Sequence, residues 1–277
     1  MGLHACICYS FPVFALFPSR SVAFEFFGFG VHWYGLLYLA AFVLGYFLLP
    51  RLQKHRGLML SNDEWASILS WIIAGVIAGG RLGYVLLYEP VYFATHLWKI
   101  PAVWEGGMSF HGGLIGVMIA LIFVSRTKKI SFLALADVFM VPVAIGLALG
   151  RLGNFINQEL YGIPTSLLWG IAIPGVEGLR HPTQIYAMMK DLMIASICFF
   201  HLRATAPRKA GETSALFLML YGLGRTLVEF VREPTHAPLV LGSLTITRGQ
   251  LLSIPMFIAG VIAWYVLVRR PKNVVNP

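Results

Sequence analysis

Residues 131–150 read SFLALADVFMVPVAIGLALG, twenty positions with one charged side chain, Asp137. At about 1.5 Å per residue a helix of that length runs about 30 Å, the thickness of a bilayer's hydrocarbon core. The stretch therefore reads as a membrane-spanning helix, and the composition around it agrees. Of 277 residues, 58% are hydrophobic and 12% charged, against roughly 25% charged in an average soluble domain. Mean hydropathy is +0.75. A single aqueous core does not hide that much apolar surface on so short a chain, which excludes an ordinary water-soluble enzyme.

Scanning outward from 131–150 finds six more apolar runs of spanning length, each bounded by charge, Pro or Gly. The expected spans are 31–50, 65–88, 108–125, 131–150, 182–202, 213–231 and 250–268. The expected fold is thus an all-α polytopic membrane protein of seven transmembrane helices, a single integral membrane domain over 1–277. Residues 1–30 are expected to form an outer leader. Its first twenty residues lack a basic n-region and are interrupted by Pro12 and Pro18, a poor match to a cleaved signal peptide. Cys6, Cys8 and Cys198 make neither a disulfide framework nor a zinc motif.

The formal charge of +9 reports orientation before it reports a ligand, so nucleic acid is not an expected partner. Alternate loops are enriched in Lys and Arg. One side carries Arg51, Lys54 and Arg56; Arg126, Lys128 and Lys129; Arg203, Arg208 and Lys209; and Arg269, Arg270 and Lys272. These are 12 of the 21 basic residues. The opposite side has Arg20, Lys99, Arg151, Arg180, Arg232 and Arg248 in longer loops. The N-terminus is expected outside and the C-terminus in the cytoplasm.

Arg81, Lys190 and Arg225 fall inside spans, where an ionised group costs about 2.5–3.5 kcal/mol on insertion scales. Depth groups them: Arg225 lies roughly 18 Å from the cytoplasmic start of its span and Arg81 roughly 24 Å from that of its own. Tyr34, His111, Arg151, Asn154 and Tyr186 reach the same outer level. Tyr221, Arg225, Glu229 and Arg232, spaced 4, 4 and 3 apart, form one helical stripe that cannot face lipid. Glu229 is expected to pair with one of the two arginines and leave the other for a ligand; a closed ion-pair ladder is the alternative. Asp137 and Lys190 lie deeper and are expected to pair with each other. Gly75, Gly79 and Gly83, with Gly112 and Gly116, have the four-residue spacing of close helix packing.

The segment Gly150-Arg151-Leu152-Gly153-Asn154-Phe155-Ile156-Asn157-Gln158-Glu159-Leu160-Tyr161-Gly162 resembles the signature of the bacterial prolipoprotein diacylglyceryl transferase family. The likeness extends to His32-Trp33-Tyr34-Gly35, Gly79-Gly80-Arg81-Leu82-Gly83-Tyr84, Ser109-Phe110-His111-Gly112-Gly113, His181-Pro182-Thr183-Gln184-Ile185-Tyr186 and the Tyr221, Arg225, Glu229 stripe. One position departs. The family usually has Glu directly after the Tyr of the His-Pro-Ser/Thr-Gln segment, and Ala187 stands there; Glu229 or Glu159 would then have to supply that carboxylate.

The resemblance implies a seven-span protein of the bacterial plasma (inner) membrane with its site toward the outer leaflet. It would move the diacylglyceryl group of phosphatidylglycerol to the lipobox cysteine of a prolipoprotein signal peptide, the first step of lipoprotein maturation. Expected partners are those two substrates and membrane lipids, with no cofactor and no metal. A phosphate leaving group calls for fixed guanidinium charge, which points to Arg151 and Arg225. A thiol, ordinarily near pKa 8.5, needs a base; an imidazole near 6.5 can take its proton at a cost of about 2.7 kcal/mol, which points to His111. His111 could instead bind the headgroup. Tyr34 and Tyr221 are expected at the phosphate or glycerol, with membrane-interface tyrosines as the alternative. Asn154 and Glu159 would orient the arginines, Gly162 and Glu229 complete the substrate site, and Arg81 would join it or tether helices.

A transporter or channel also fits seven spans with buried charge. The titratable groups gather at the outer side and not at the midplane, however, and no pair of Gly/Pro-broken spans occurs in corresponding halves. Another lipid-headgroup transferase would carry a carboxylate-rich metal motif, which is missing.

Overall fold

The computed structural model describes residues 22–26, 29–204, 210–234, 237, 239–241 and 244–269. Of the leader expected over 1–30, residues 1–21, 27 and 28 lie outside the described residues, as do the basic residues Arg208, Lys209, Arg270 and Lys272; Arg20 falls in that first stretch. A hairpin, β1 (Val22–Phe26) and β2 (Phe29–His32), leads into α1 (Trp33–Leu52). Then follow α2 (Asn62–Leu87), a short α3 (Pro90–Thr95), α4 (Phe110–Thr127) and α5 (Phe132–Ile156). A two-residue hairpin, β3 (Ile171–Ala172) and β4 (Leu179–Arg180), precedes α6 (Thr183–Ala204) and α7 (Glu212–Glu229). A last hairpin, β5 (Leu239–Leu241) and β6 (Leu244–Ile246), leads to α8 (Arg248–Arg269). Among the described residues every sheet has two strands.

Among the described residues six helices are long and apolar enough to cross a bilayer: α1, α2, α4, α5, α6 and α8. The chain is therefore a mostly helical, multi-pass membrane protein. The expected span 213–231 is also helical, as α7, with Glu212, Arg225 and Glu229 among its eighteen residues. Helix α5 continues beyond the expected boundary at 150 to Ile156, which carries Arg151 and Asn154 inside its last turns. Local signals fix some ends. Ser61 and Glu64 form a reciprocal capping box at the start of α2, and Ser109 Oγ accepts the Gly112 N–H at the start of α4.

The chain divides into two compact units. One holds the described parts of Met1–Val43, Val141–Phe199 and Ala215–Arg270, the other those of Leu44–Met140, Phe200–Ser214 and Pro271–Pro277. In the second unit α2 packs on α4 through glycine. A Cβ at Gly75 would stand 2.6 Å from Gly116 O, one at Gly79 2.4 Å from Gly112 O, and one at Gly116 1.9 Å from Gly75 O. Backbones this close leave no room for any side chain. Trp65, fully buried, meets Phe139 edge-on at 6.1 Å.

The same unit overturns one expectation. Asp137 does not pair with Lys190; its Oδ2 accepts from Arg56 Nε at 2.6 Å and from the Gly211 N–H at 2.9 Å. Its Oδ1 accepts from the Ser214 N–H and hydroxyl, both at 2.7 Å. Arg56 also reaches Thr213 Oγ1 at 2.6 Å. A carboxylate with four donors is satisfied where it stands. Lys190 is paired with its sequence neighbour, Asp191.

Candidate functional site

In the first unit the expected polar residues assemble around the ends of α1, α5, α6 and α7. Tyr34 opens α1, and Gly153 of α5 faces its ring: a Cβ there would already touch ring carbons at 3.4 Å. This close approach puts Asn154 against Tyr34. The Asn154 amide donates to the Tyr34 hydroxyl and to Glu159 Oε1, the latter at 2.8 Å, while its Oδ1 accepts from Arg151 Nη1 at 3.3 Å. Arg151, Asn154, Glu159 and Tyr34 thus form one chain of hydrogen bonds, with Asn154 at its centre.

Beyond α5 the backbone turns sharply, with Gln158 and Leu160 at positive φ (57° and 58°). Gly162 then closes a knot: its N–H donates to His181 O at 2.9 Å, and the next N–H, of Ile163, donates to Val231 O at 3.0 Å. A Cβ at Gly162 would lie 2.4 Å from Val231 O and 2.6 Å from His181 Cβ. Glycine here is a steric requirement that ties the segment after α5 to Arg232, its partner in an isolated bridge.

The stripe on α7 is a shared ladder. Glu229 Oε2 takes Arg225 Nη1 and lies 3.5 Å from Arg232 Nη1, so the expectation that one arginine stays unpaired is corrected. Glu229 Oε1 accepts Thr247 Oγ1 at 3.1 Å, and Gly249 leaves space for the carboxyl, which a Cβ would meet at 2.5 Å. Burial, and next the Arg225 charge, push the Arg232 guanidinium below its ordinary value. One carboxylate between two guanidiniums leaves positive charge uncompensated.

Lys190 joins this group from α6. Its stem lies against Gly224, where a Cβ would stand 2.6 Å from Lys190 Cδ, and its ammonium sits 4.1 Å above the Tyr221 ring as well as on Asp191. Arg151, Lys190, Arg225 and Arg232 line a single cleft, which Gln184 and Ala187 also border. Four cations face it: Lys190 is paired to Asp191, Arg225 and Arg232 share Glu229, and Arg151 meets the Asn154 amide oxygen.

Arg81 and His111 belong to the other unit. Arg81, 5% exposed, donates to the carbonyls of Lys99 (2.7 Å), Ile100 (2.8 Å), Gly106 and Gly107 (3.2 Å), and lies over Phe93. His111 is the second residue of α4, exposed, its ring edge-on to Phe110 at 5.7 Å. Sequence reasoning gave no role to Thr183, Gln184, Thr247 or Gly249, and sent Lys190 to the wrong partner. For Lys190 a signal existed: it stands one helical turn after the unusual Ala187, on the same face.

The fold and the cleft define a membrane-embedded protein with a cationic site among its helix ends. The chain matches the family model described as prolipoprotein diacylglyceryl transferase over residues 21–266, and it belongs to that family. It is 48% identical over 243 residues to Phosphatidylglycerol--prolipoprotein diacylglyceryl transferase of Geobacter sulfurreducens, covering 87% of this chain and 92% of that one. Proteins of the same name from Bordetella avium (41% over 249 residues, 88% and 92% covered) and Legionella pneumophila (42% over 252 residues, 88% and 95%) are similar over the same extent.

Proposed function

We propose that this chain transfers the diacylglyceryl group of phosphatidylglycerol to the cysteine thiol of a prolipoprotein lipobox, forming a thioether and releasing glycerol phosphate. The cleft lined by Arg151, Lys190, Arg225 and Arg232 carries the reading. In the reaction the sulfur attacks the glycerol carbon bearing the phosphate. The C–S bond forms as the C–O bond breaks, and the electron pair stays on the phosphate oxygen. A diester with one negative charge becomes a monoester approaching two, since its second pKa is about 6. Charge grows at the leaving oxygen, so fixed guanidiniums favour the transition state over the bound lipid.

Each expected residue has a part in this scheme. Arg151 and Arg225 hold the phosphate. Asn154, Tyr34 and Glu159 keep Arg151 in place, and Gly162 sets the backbone at Arg232. Glu229 aligns Arg225 and Arg232, and Tyr221 supports Lys190. Arg81 anchors the 99–107 segment, because its donors are spent on backbone carbonyls. His111 takes the thiol proton, and the positive N-terminal end of α4 beside it favours a thiolate.

The 12 basic residues on alternate loops support seven spans that include α7, with the N-terminus outside, the C-terminus cytoplasmic and the site toward the outer leaflet of the plasma membrane. The test is to incubate the purified protein with phosphatidylglycerol and a lipobox peptide and weigh the peptide. A gain of one diacylglyceryl group with release of glycerol phosphate is expected, and an unmodified peptide refutes the assignment. At equal protein levels, His111→Ala is expected to lower the rate about 10²–10⁴-fold; an undiminished rate would place the base elsewhere.

A further inference from the structure

Gln184 stands in the first turn of α6, 2% exposed, and borders the cationic cleft. Its Nε2 donates to Glu159 O at 2.7 Å. Only the amide nitrogen can donate to a carbonyl, so the orientation of the side chain is settled and Oε1 is left as an acceptor. That Oε1 is buried and has no donor among the described residues. Among the described residues, other buried side-chain atoms in this condition include Asn157 Oδ1, Gln158 Oε1, Asp191 Oδ2 and Trp65 Nε1, none of these on a residue that lines the cleft. Thr183 adds a second acceptor on the same wall, because its hydroxyl proton is spent on Leu160 O at 2.8 Å and its lone pairs remain.

A buried acceptor without a donor is costly to keep. The phosphate cannot repay it, since phosphodiester oxygens are themselves acceptors. An ammonium headgroup would donate, but four cations in the cleft oppose it. A hydroxyl is neutral and donates. We infer that Gln184 accepts a hydrogen bond from a hydroxyl of the lipid headgroup and so sets the enzyme's preference for a polyol phosphodiester. The inference rests on the proposed reaction at this cleft. A site built to bind a hydroxyl rejects the analogue that lacks it, because its own polar group is then stranded.

The experiment compares kcat/KM for phosphatidylglycerol and for phosphatidylethanol of identical acyl chains, which carries an ethyl group and no headgroup hydroxyl. The unaltered protein is expected to prefer phosphatidylglycerol by about 10-fold or more. Gln184→Met should bring that ratio close to one by losing rate with phosphatidylglycerol alone. Gln184→Glu, which keeps an acceptor, should retain the ratio at a lower rate. A structural role for Gln184 would depress both lipids alike and leave the ratio unmoved. Equal use of the two lipids by the unaltered protein overturns the inference and needs no variant to fold. So does a Gln184→Met protein with an undiminished ratio, or one whose only change is a higher KM for the peptide. Transfer from neither lipid would instead sink the proposed reaction itself.

Discussion

The electrostatic setting of an arginine decides its role, as three cases show. Arg56 meets a carboxylate that has four donors, so the pair is complete and acts as an anchor. Arg81 spends its donors on carbonyls and pins a loop. Arg225 and Arg232 share Glu229, which leaves charge over for an anion. Removing one partner of a buried ion pair costs about 3–5 kcal/mol, so Asp137→Ala should sharply lower the thermal midpoint in detergent; an unchanged midpoint would mean that Arg56 finds another partner. Arg225→Lys keeps a charge and loses the planar fork. Charged hydrogen bonds are worth about 1.5–3 kcal/mol, so transfer should fall about 10–150-fold, read from kcat/KM with phosphatidylglycerol. A near-normal rate would show that point charge alone suffices. Arg225 and Glu229 could be read directly from their spacing on one helix. Lys190 could not, because two carboxylates lay within plausible reach and only the folded chain chooses between them.

Helices set the distances that make these contacts possible. The glycine spacing of α2 and α4 was legible as a packing ridge, and the structure gives it a steric meaning. A Cβ at Gly116 would stand 1.9 Å from Gly75 O, whereas one at Gly113 of the same helix meets only Val76 O at 3.7 Å. Gly116→Val should therefore destabilise by at least the roughly 1–3 kcal/mol typical of overpacking. Gly113→Ala should leave the midpoint unchanged or raised, since Ala is the better helix former by about 1 kcal/mol. Thermal unfolding of the two variants in the same micelle checks the contrast, and equal midpoints would refute it. Gly162 and Gly249 follow the same logic outside helix interiors, but nothing in the sequence around Gly249 points to the Glu229 carboxyl beside it.

At the scale of the whole molecule, the proposed orientation makes a labelling prediction. Met59, between α1 and α2, is 95% exposed, Trp104, between α2 and α4, is 79% exposed, and Leu168, between α5 and α6, is fully exposed. With Cys6 and Cys8 replaced by Ser, a membrane-impermeant maleimide on intact cells should label Trp104→Cys and Leu168→Cys. Met59→Cys should react only after lysis. The opposite pattern would invert the orientation. Cys198 is buried and should stay silent in both conditions. Many large apolar side chains remain exposed along the spans, among them Leu86, Phe110, Ile119 and Phe200, as expected of surfaces solvated by lipid.

Composition, hydropathy and spacing alone establish that the chain lives in lipid, roughly where its helices run and which loops carry the basic charge. Those properties are periodic or additive along the chain, so they survive without coordinates. Which charges pair emerges from the folded chain: Asp137 with Arg56, Lys190 with Asp191, and Glu229 with two arginines at once. It also placed Gln184 on the cleft wall with an acceptor to spare. Pairing depends on distances of a few ångströms between residues far apart in sequence, and on how many donors each acceptor has already met.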